Sequence, residues 1–165
     1  VIVDVFIIAA GFVMRTVSGA VVLNITISHW LLICTGLLAL FLALAKRRHE
    51  LVLLEAGSGS HRRVLDDYST ELVQEMISII TASTIIAYIL YTLSPSNPHI
   101  PVTPFPLMLI TVPFVVYAIF RYLYLVYKKD EGGSTEEMIL KDWPLLLDIS
   151  LWGVTVLIIL HVYRQ

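Results

Sequence analysis

Lys46, Arg47 and Arg48 stand side by side and are followed closely by Glu50, and further on Arg62 and Arg63 precede Asp66 and Asp67. Interleaved charges of this kind suit a phosphorylated ligand bound together with a divalent metal. Guanidinium groups fork phosphate oxygens in pairs, an ammonium adds a point charge, and carboxylates hold Mg2+ directly or through water. A segment that only keeps a loop on one side of a membrane needs Lys or Arg without the carboxylates. Two readings therefore stay open for the stretch KRRHELVLLEAGSGSHRRVLDDYSTELVQEM: an anion site, or a topology determinant with surface ion pairs. Its GSGS run could nest a phosphate through backbone N–H groups, but a flexible linker is the simpler account.

Asp4 and Arg15 carry the other chemistry of interest, because both interrupt an apolar run. Eleven residues separate them, close to three helical turns, so a helix would project both from one face about 16 Å apart along its axis. Gly11, Ser18 and Gly19 share or border that face. A charge at mid-membrane costs about 2.5–3.5 kcal/mol on insertion scales, so such residues face a protein interior or a wet cavity. For Arg15 this leaves a salt bridge to a neighbouring helix or a cavity that accepts an anionic lipid group. Asp4 is either solvated at the membrane boundary or orients a cation or a sugar hydroxyl. Asp148 reads as an acid complementing a helix N-terminus, and Arg121 as a cation snorkelling from a helix end.

The elements that must position these residues are membrane helices. The chain has 165 residues, of which 58% are hydrophobic, and a mean hydropathy of +0.84. Five apolar stretches approach the roughly 20 residues that span a hydrocarbon core about 30 Å thick: 1–23, 30–45, 76–93, 105–127 and 145–163. They are apolar all round, without the polar stripe of a water-soluble surface helix. The expected fold is all-α, a polytopic membrane helical bundle forming one transmembrane domain over 1–165. A net charge of −2 gives no support for a nucleic-acid partner. A lone Cys34 allows no disulfide within the chain, and there is no Walker A sequence, zinc motif or nucleophile elbow.

Charge placement predicts orientation. Lys46, Arg47, Arg48, Arg62 and Arg63 fall between the second and third stretches, while Arg121, Lys128, Lys129 and Lys141 end or follow the fourth. The connections 24–29 and 94–104 contain no Lys or Arg. The positive-inside rule therefore makes 46–75 and 128–143 cytoplasmic loops of an integral membrane protein. Tyr122, Tyr124, Tyr127 and Trp143 cluster at the same boundary, where amphipathic rings are favoured. In the second loop Ser134 and Glu137 have capping-box spacing, which predicts a short interfacial helix ending at Lys141. Asp142 and Pro144 then suit the start of the last membrane helix, and Ser69 with Glu71 suits the start of the third. The proline-rich SPSNPHIPVTPFP reads as a stiff connector.

Four segments in order, DVFIIAAGFVMRTVSGA, LALAKRRHELVLL, HRRVLDDYS and STEEMILKDWPLLLDISLW, resemble the C-terminal half of the UbiA prenyltransferase superfamily. They are most similar to its polyprenyl-phosphate phosphoribosyltransferase branch. The resemblance implies transfer of a 5-phosphoribosyl group from phosphoribosyl diphosphate to a polyprenyl phosphate, with Mg2+ as cofactor, within a cell-wall lipid precursor route. It also implies that Lys46, Arg47, Arg48, Arg62, Arg63 and Arg15 hold phosphates, and that the metal carboxylates come from Asp4, Glu50, Asp66 and Asp67. The superfamily's first aspartate-rich motif is not in these residues, and the sequence opens inside an apolar stretch at Val1. The expectation is part of a longer enzyme, inactive by itself. The alternatives are a prenyltransferase with an aromatic acceptor, or a non-catalytic, lipid-binding scaffold in a larger membrane complex or homo-oligomer.

Overall fold

The computed structural model describes residues 2–56, 69–94, 106–128 and 135–162. Among them every regular element is helical: α1 (Ile2–Val22), α2 (His29–Ala56), α3 (Thr70–Leu93), a 3-10 turn (Leu107–Thr111) continuing into α4 (Val112–Lys128), α5 (Thr135–Lys141) and α6 (Trp143–Val162). Five of these stretches are long and apolar enough to cross a membrane: Ile2–Val22, His29–Leu53, Thr70–Leu93, Leu107–Lys128 and Trp143–Val162. The expected all-α membrane fold is therefore observed. The chain divides into two compact units, Val1–Thr84 and Ile85–Gln165, and α3 runs through the division.

In the first unit α1 packs along α2. Its 21 residues reach about 30 Å, the thickness of the hydrocarbon core. The α1 contribution to the core comes from Val5 and Ala9, four residues apart on one face, and α2 contributes Ala39, Phe41, Ala43, Leu44 and Ala45. Small residues dominate this set because membrane helices gain little from hydrophobic burial and associate by close packing. Gly36 belongs to the same seam, since a Cβ there would lie 3.6 Å from Val13 Cγ2. At its far end α1 stops on Asn24, which adopts a left-handed φ of 56°. Ile25 N then bonds Ala20 O at 3.0 Å and Asn24 N bonds Val21 O at 3.2 Å, the paired bonds of a Schellman stop.

α2 does not end where its apolar run ends. It continues through Lys46, Arg47 and Arg48 to Ala56, because Lys, Arg, Glu, Leu and Ala all have high helix propensity and no Gly or Pro intervenes. The basic triplet expected at the head of a loop is thus mounted on a helix. α3 begins where Ser69 caps it, the hydroxyl accepting from Leu72 N at 3.1 Å, as its sequence predicts.

In the second unit α4 and α6 pack together, with the 3-10 turn and α5 also against α6. Met108 and Ile159 form a buried pair with Tyr91, Leu107 and Val156 around them. The tight turn before α4 reflects Pro113, which has no N–H to donate and whose ring crowds the carbonyl four residues back. Val112 N therefore bonds Leu109 O, three residues back, and the Met108 carbonyl is taken by Thr111 Oγ1 at 2.6 Å instead. α5 forms over the range expected for the interfacial helix, although its proposed cap, Ser134, lies outside the described residues. At the start of α6, Asp142 Oδ2 accepts from Leu145 N at 3.1 Å, confirming it as the helix cap.

Candidate functional site

Consecutive residues of a helix point about 100° apart, so Lys46, Arg47 and Arg48 cannot converge on one ligand from a rigid helix. Arg47 turns to α1. Its Nη2 donates to Asp4 Oδ2, while its Nη1 donates to Glu50 Oε2 at 2.7 Å, one turn along the same helix. The guanidinium is thus fixed by a carboxylate on each of two helices, with its side chain 27% exposed and those of Asp4 and Glu50 at 49% and 37%. These two bonds use one N–H from each terminal nitrogen, and a guanidinium carries further N–H donors. Lys46 is exposed and Arg48 half-buried on neighbouring faces of α2.

Arg15 is not brought to this cluster. It is exposed on α1, on the side away from Val5 and Ala9, with its guanidinium carbon 5.6 Å from the Phe12 ring centroid. Neighbouring Ser18 bonds back to Met14 O at 2.7 Å. Arg15 and Asp4 do share a face, as their spacing predicts, but Asp4 reaches round to α2 and Arg15 does not. Arg62, Arg63, Asp66 and Asp67 lie outside the described residues.

No group of three or more His, Cys, Asp or Glu side chains converges among the described residues. Asp4 and Glu50 each give one oxygen to Arg47. What this arrangement offers is a guanidinium tied to carboxylates on two helices, with N–H donors to spare.

The second unit holds polar contacts that sequence reasoning missed. Arg121 is more than a snorkelling cation: its Nε donates to Asp142 Oδ2 at 3.0 Å and its Nη2 to Asp142 Oδ1 at 2.9 Å. That fork ties α4 to the first turn of α6, and the Asp142 side chain is only 7% exposed. Arg121 and Lys128 both stand over the Tyr124 ring, at 5.2 Å and 5.3 Å from its centroid. Deeper in the unit Trp152 Nε1 donates to Tyr88 Oη at 3.0 Å, and Tyr88 Oη lies 2.7 Å from Thr111 Oγ1. Thr111 spends its own proton on Met108 O, so the tyrosine must donate to the threonine. A one-way chain results, from α6 through α3 to the turn before α4. Single residues such as Trp152 or Thr111 carry no spacing signal, because their partners are distant in sequence. Asp148, expected to complement a helix dipole, is buried with one carboxylate oxygen lacking a partner among the described residues.

Together these features define a polytopic helical membrane protein with an arginine held between two carboxylates at one end of its first helix pair. No model of a known protein family matches the chain. It is similar to proteins named decaprenyl-phosphate phosphoribosyltransferase. The Corynebacterium glutamicum protein is 27% identical over 92% of this chain and 45% of its own length. That of Mycolicibacterium smegmatis is 27% identical over 92% of this chain and 48% of its own, and that of Mycobacterium tuberculosis 26% identical over 94% and 49%. The chain thus spans about half the length of the curated relatives it matches. The resemblance to the UbiA family expected from the four segments is borne out by these relatives, with coverage consistent with a C-terminal half.

Proposed function

We propose that this chain is part of an integral-membrane transferase that moves a 5-phosphoribosyl group from phosphoribosyl diphosphate to a polyprenyl phosphate. The observation that carries this reading is Arg47, a guanidinium pinned by Asp4 and Glu50 within a chain similar to phosphoribosyltransferases along nearly its whole length. In the reaction a lipid phosphate oxygen attacks the anomeric carbon, the bond from that carbon to diphosphate breaks, and its electron pair leaves with the diphosphate. Arg47 holds phosphate oxygens in a set geometry, and Asp4 and Glu50 prevent it from swinging away. Lys46, exposed on a neighbouring face of α2, adds to the positive potential that draws an anionic donor to this helix end without contacting the same group. Such a site works by positioning and charge stabilisation.

Mg2+ belongs to the same proposal as the ion that would neutralise the diphosphate when bound. Of the carboxylates that would hold it, Asp4 and Glu50 each give one oxygen to Arg47. The Lys and Arg residues at the end of the apolar run of α2 support a position at the cytoplasmic face of a bacterial inner membrane, where a soluble sugar phosphate and a membrane lipid can meet.

The test uses membranes carrying the full-length gene and labelled phosphoribosyl diphosphate, with label followed into the lipid fraction. Replacing Arg47 by Ala removes charge-assisted hydrogen bonds, and incorporation should fall about ten- to a hundredfold at unchanged expression. Arg47→Lys should rescue little, because an ammonium cannot fork oxygens while bridging two carboxylates. Unchanged kinetics in Arg47→Ala would refute the site. Label absent from lipid in the unmodified protein, with a prenylated aromatic acceptor formed instead, would replace the reaction. Absence of both products would favour a non-catalytic membrane subunit.

A further inference from the structure

The two aspartates near the start of α6 have opposite surroundings. Asp142 caps the helix and is forked by Arg121. Asp148 lies six residues on, about 9 Å further along the span. It shares the inward stripe of α6 with Leu145 and Ile159 at helical spacing, and these three are 8%, 2% and 8% exposed in that order. Trp152, four residues later on the same stripe, is tied by its indole to Tyr88. Asp148 Oδ2 is sealed from solvent and has no hydrogen-bond partner among the described residues.

The charged groups on the elements around it are committed elsewhere or stand at the helix ends. On α4, Arg121 is bound to Asp142, and Lys128, at the helix end, sits over Tyr124. On α5, Lys141 and Glu137 pair at 3.7 Å and are exposed, and the 3-10 turn carries no charge. Among the described residues His161 stands in the last turn of α6, and the titratable groups of α4 and of the α3 segment in this unit are otherwise tyrosines: Tyr117, Tyr122, Tyr124 and Tyr127 on α4 and Tyr88 and Tyr91 on α3. Tyr88 already donates to Thr111 and accepts from Trp152. An ionised carboxylate sealed in an apolar span without a cation or donor is costly, whereas the neutral acid gives up far less on leaving water.

We propose that Asp148 is an uncharged carboxylic acid held inside the membrane span, a proton-binding site that an apolar carbodiimide will modify. The proposal does not rest on the transfer reaction. As a neutral acid it keeps an O–H donor at membrane depth without adding negative charge, which an anionic carboxylate could not do.

The test is dicyclohexylcarbodiimide labelling of the full chain in its membrane, followed by peptide mapping by mass spectrometry. Only the protonated acid begins the reaction: its proton goes to a carbodiimide nitrogen as the carboxyl oxygen bonds the central carbon. An oxygen-to-nitrogen acyl shift then leaves a stable N-acylurea, so the peptide gains the mass of one whole reagent molecule. At neutral pH, occupancy at Asp148 should be at least about tenfold that at the ion-paired Asp142, with little labelling of Asp148 by a water-soluble carbodiimide. Asp148→Asn should abolish the adduct while eluting as the unmodified protein does. No adduct at Asp148, equal labelling of Asp142 and Asp148, or equal labelling of Asp148 by the two reagents would overturn the proposal. Should Asp148→Asn fail to fold, the map of the unmodified sequence still decides.

Discussion

Removing the hydroxyl of Tyr88 tests whether the second unit is held by a directed chain of hydrogen bonds. Tyr88→Phe keeps the ring, which is 9% exposed, and deletes one atom. Two bonds disappear together: the 3.0 Å bond from Trp152 Nε1 and the 2.7 Å bond to Thr111 Oγ1. Thr111 loses only a donor, since its proton remains on Met108 O. Trp152 loses its acceptor and keeps a part-buried N–H that an apolar span cannot satisfy. Interhelical hydrogen bonds in membranes average about 0.6 kcal/mol and reach about 1.7 kcal/mol, so two of them amount to about 1–2 kcal/mol. Trp152→Phe removes just the first bond and should cost about 0.6 kcal/mol through this route, with any packing loss additional. The double variant Tyr88→Phe/Trp152→Phe should then be less destabilised than the sum of the singles, by about one bond, because both singles break the same contact. Unfolding of the full chain by sodium dodecyl sulfate in mixed micelles, followed by tryptophan fluorescence and circular dichroism, measures these differences. Strict additivity of the two substitutions, or no loss of stability in Tyr88→Phe, would refute the chain.

Two further outcomes follow from local geometry. Asp142→Ala removes the acceptor of Leu145 N and the fork for Arg121; loss of the cap alone should cost about 1 kcal/mol, and Asp142→Asn should recover part of it, read in the same unfolding assay. Asn24→Gly should leave stability unchanged or slightly raised, whereas Asn24→Val should lower it by about 1–2 kcal/mol, because a β-branched residue is strained at the φ of 56° found there. Equal effects of Gly and Val at that position would show that the left-handed stop does not matter.

Much of this molecule is written in local sequence. Long uncharged runs with no polar stripe dictate membrane-spanning helices whatever their partners, and Ser69 and Asp142 announce helix starts because a cap needs only a neighbouring backbone N–H. The pairing of Arg47 with Glu50 was not legible while 46–75 read as a loop; it follows once α2 continues past its apolar run, since residues three apart share a helix face. The order of four charged and apolar segments was enough to point to the relatives that the chain resembles. Where Asp4 and Arg15 would turn was not legible, since a shared face on one helix does not say which helix lies opposite. Tertiary packing sends Asp4 to Arg47 and leaves Arg15 exposed, dividing what looked like one polar face. Arg121 and Asp142 stand 21 residues apart and Tyr88 and Trp152 stand 64 apart, so no periodicity links them. The contrast between Asp142 and Asp148 belongs wholly to the fold: both are acids near one helix start, and only the position of Arg121 and the inward turn of α6 make one an ion pair and leave the other sealed without a partner among the described residues.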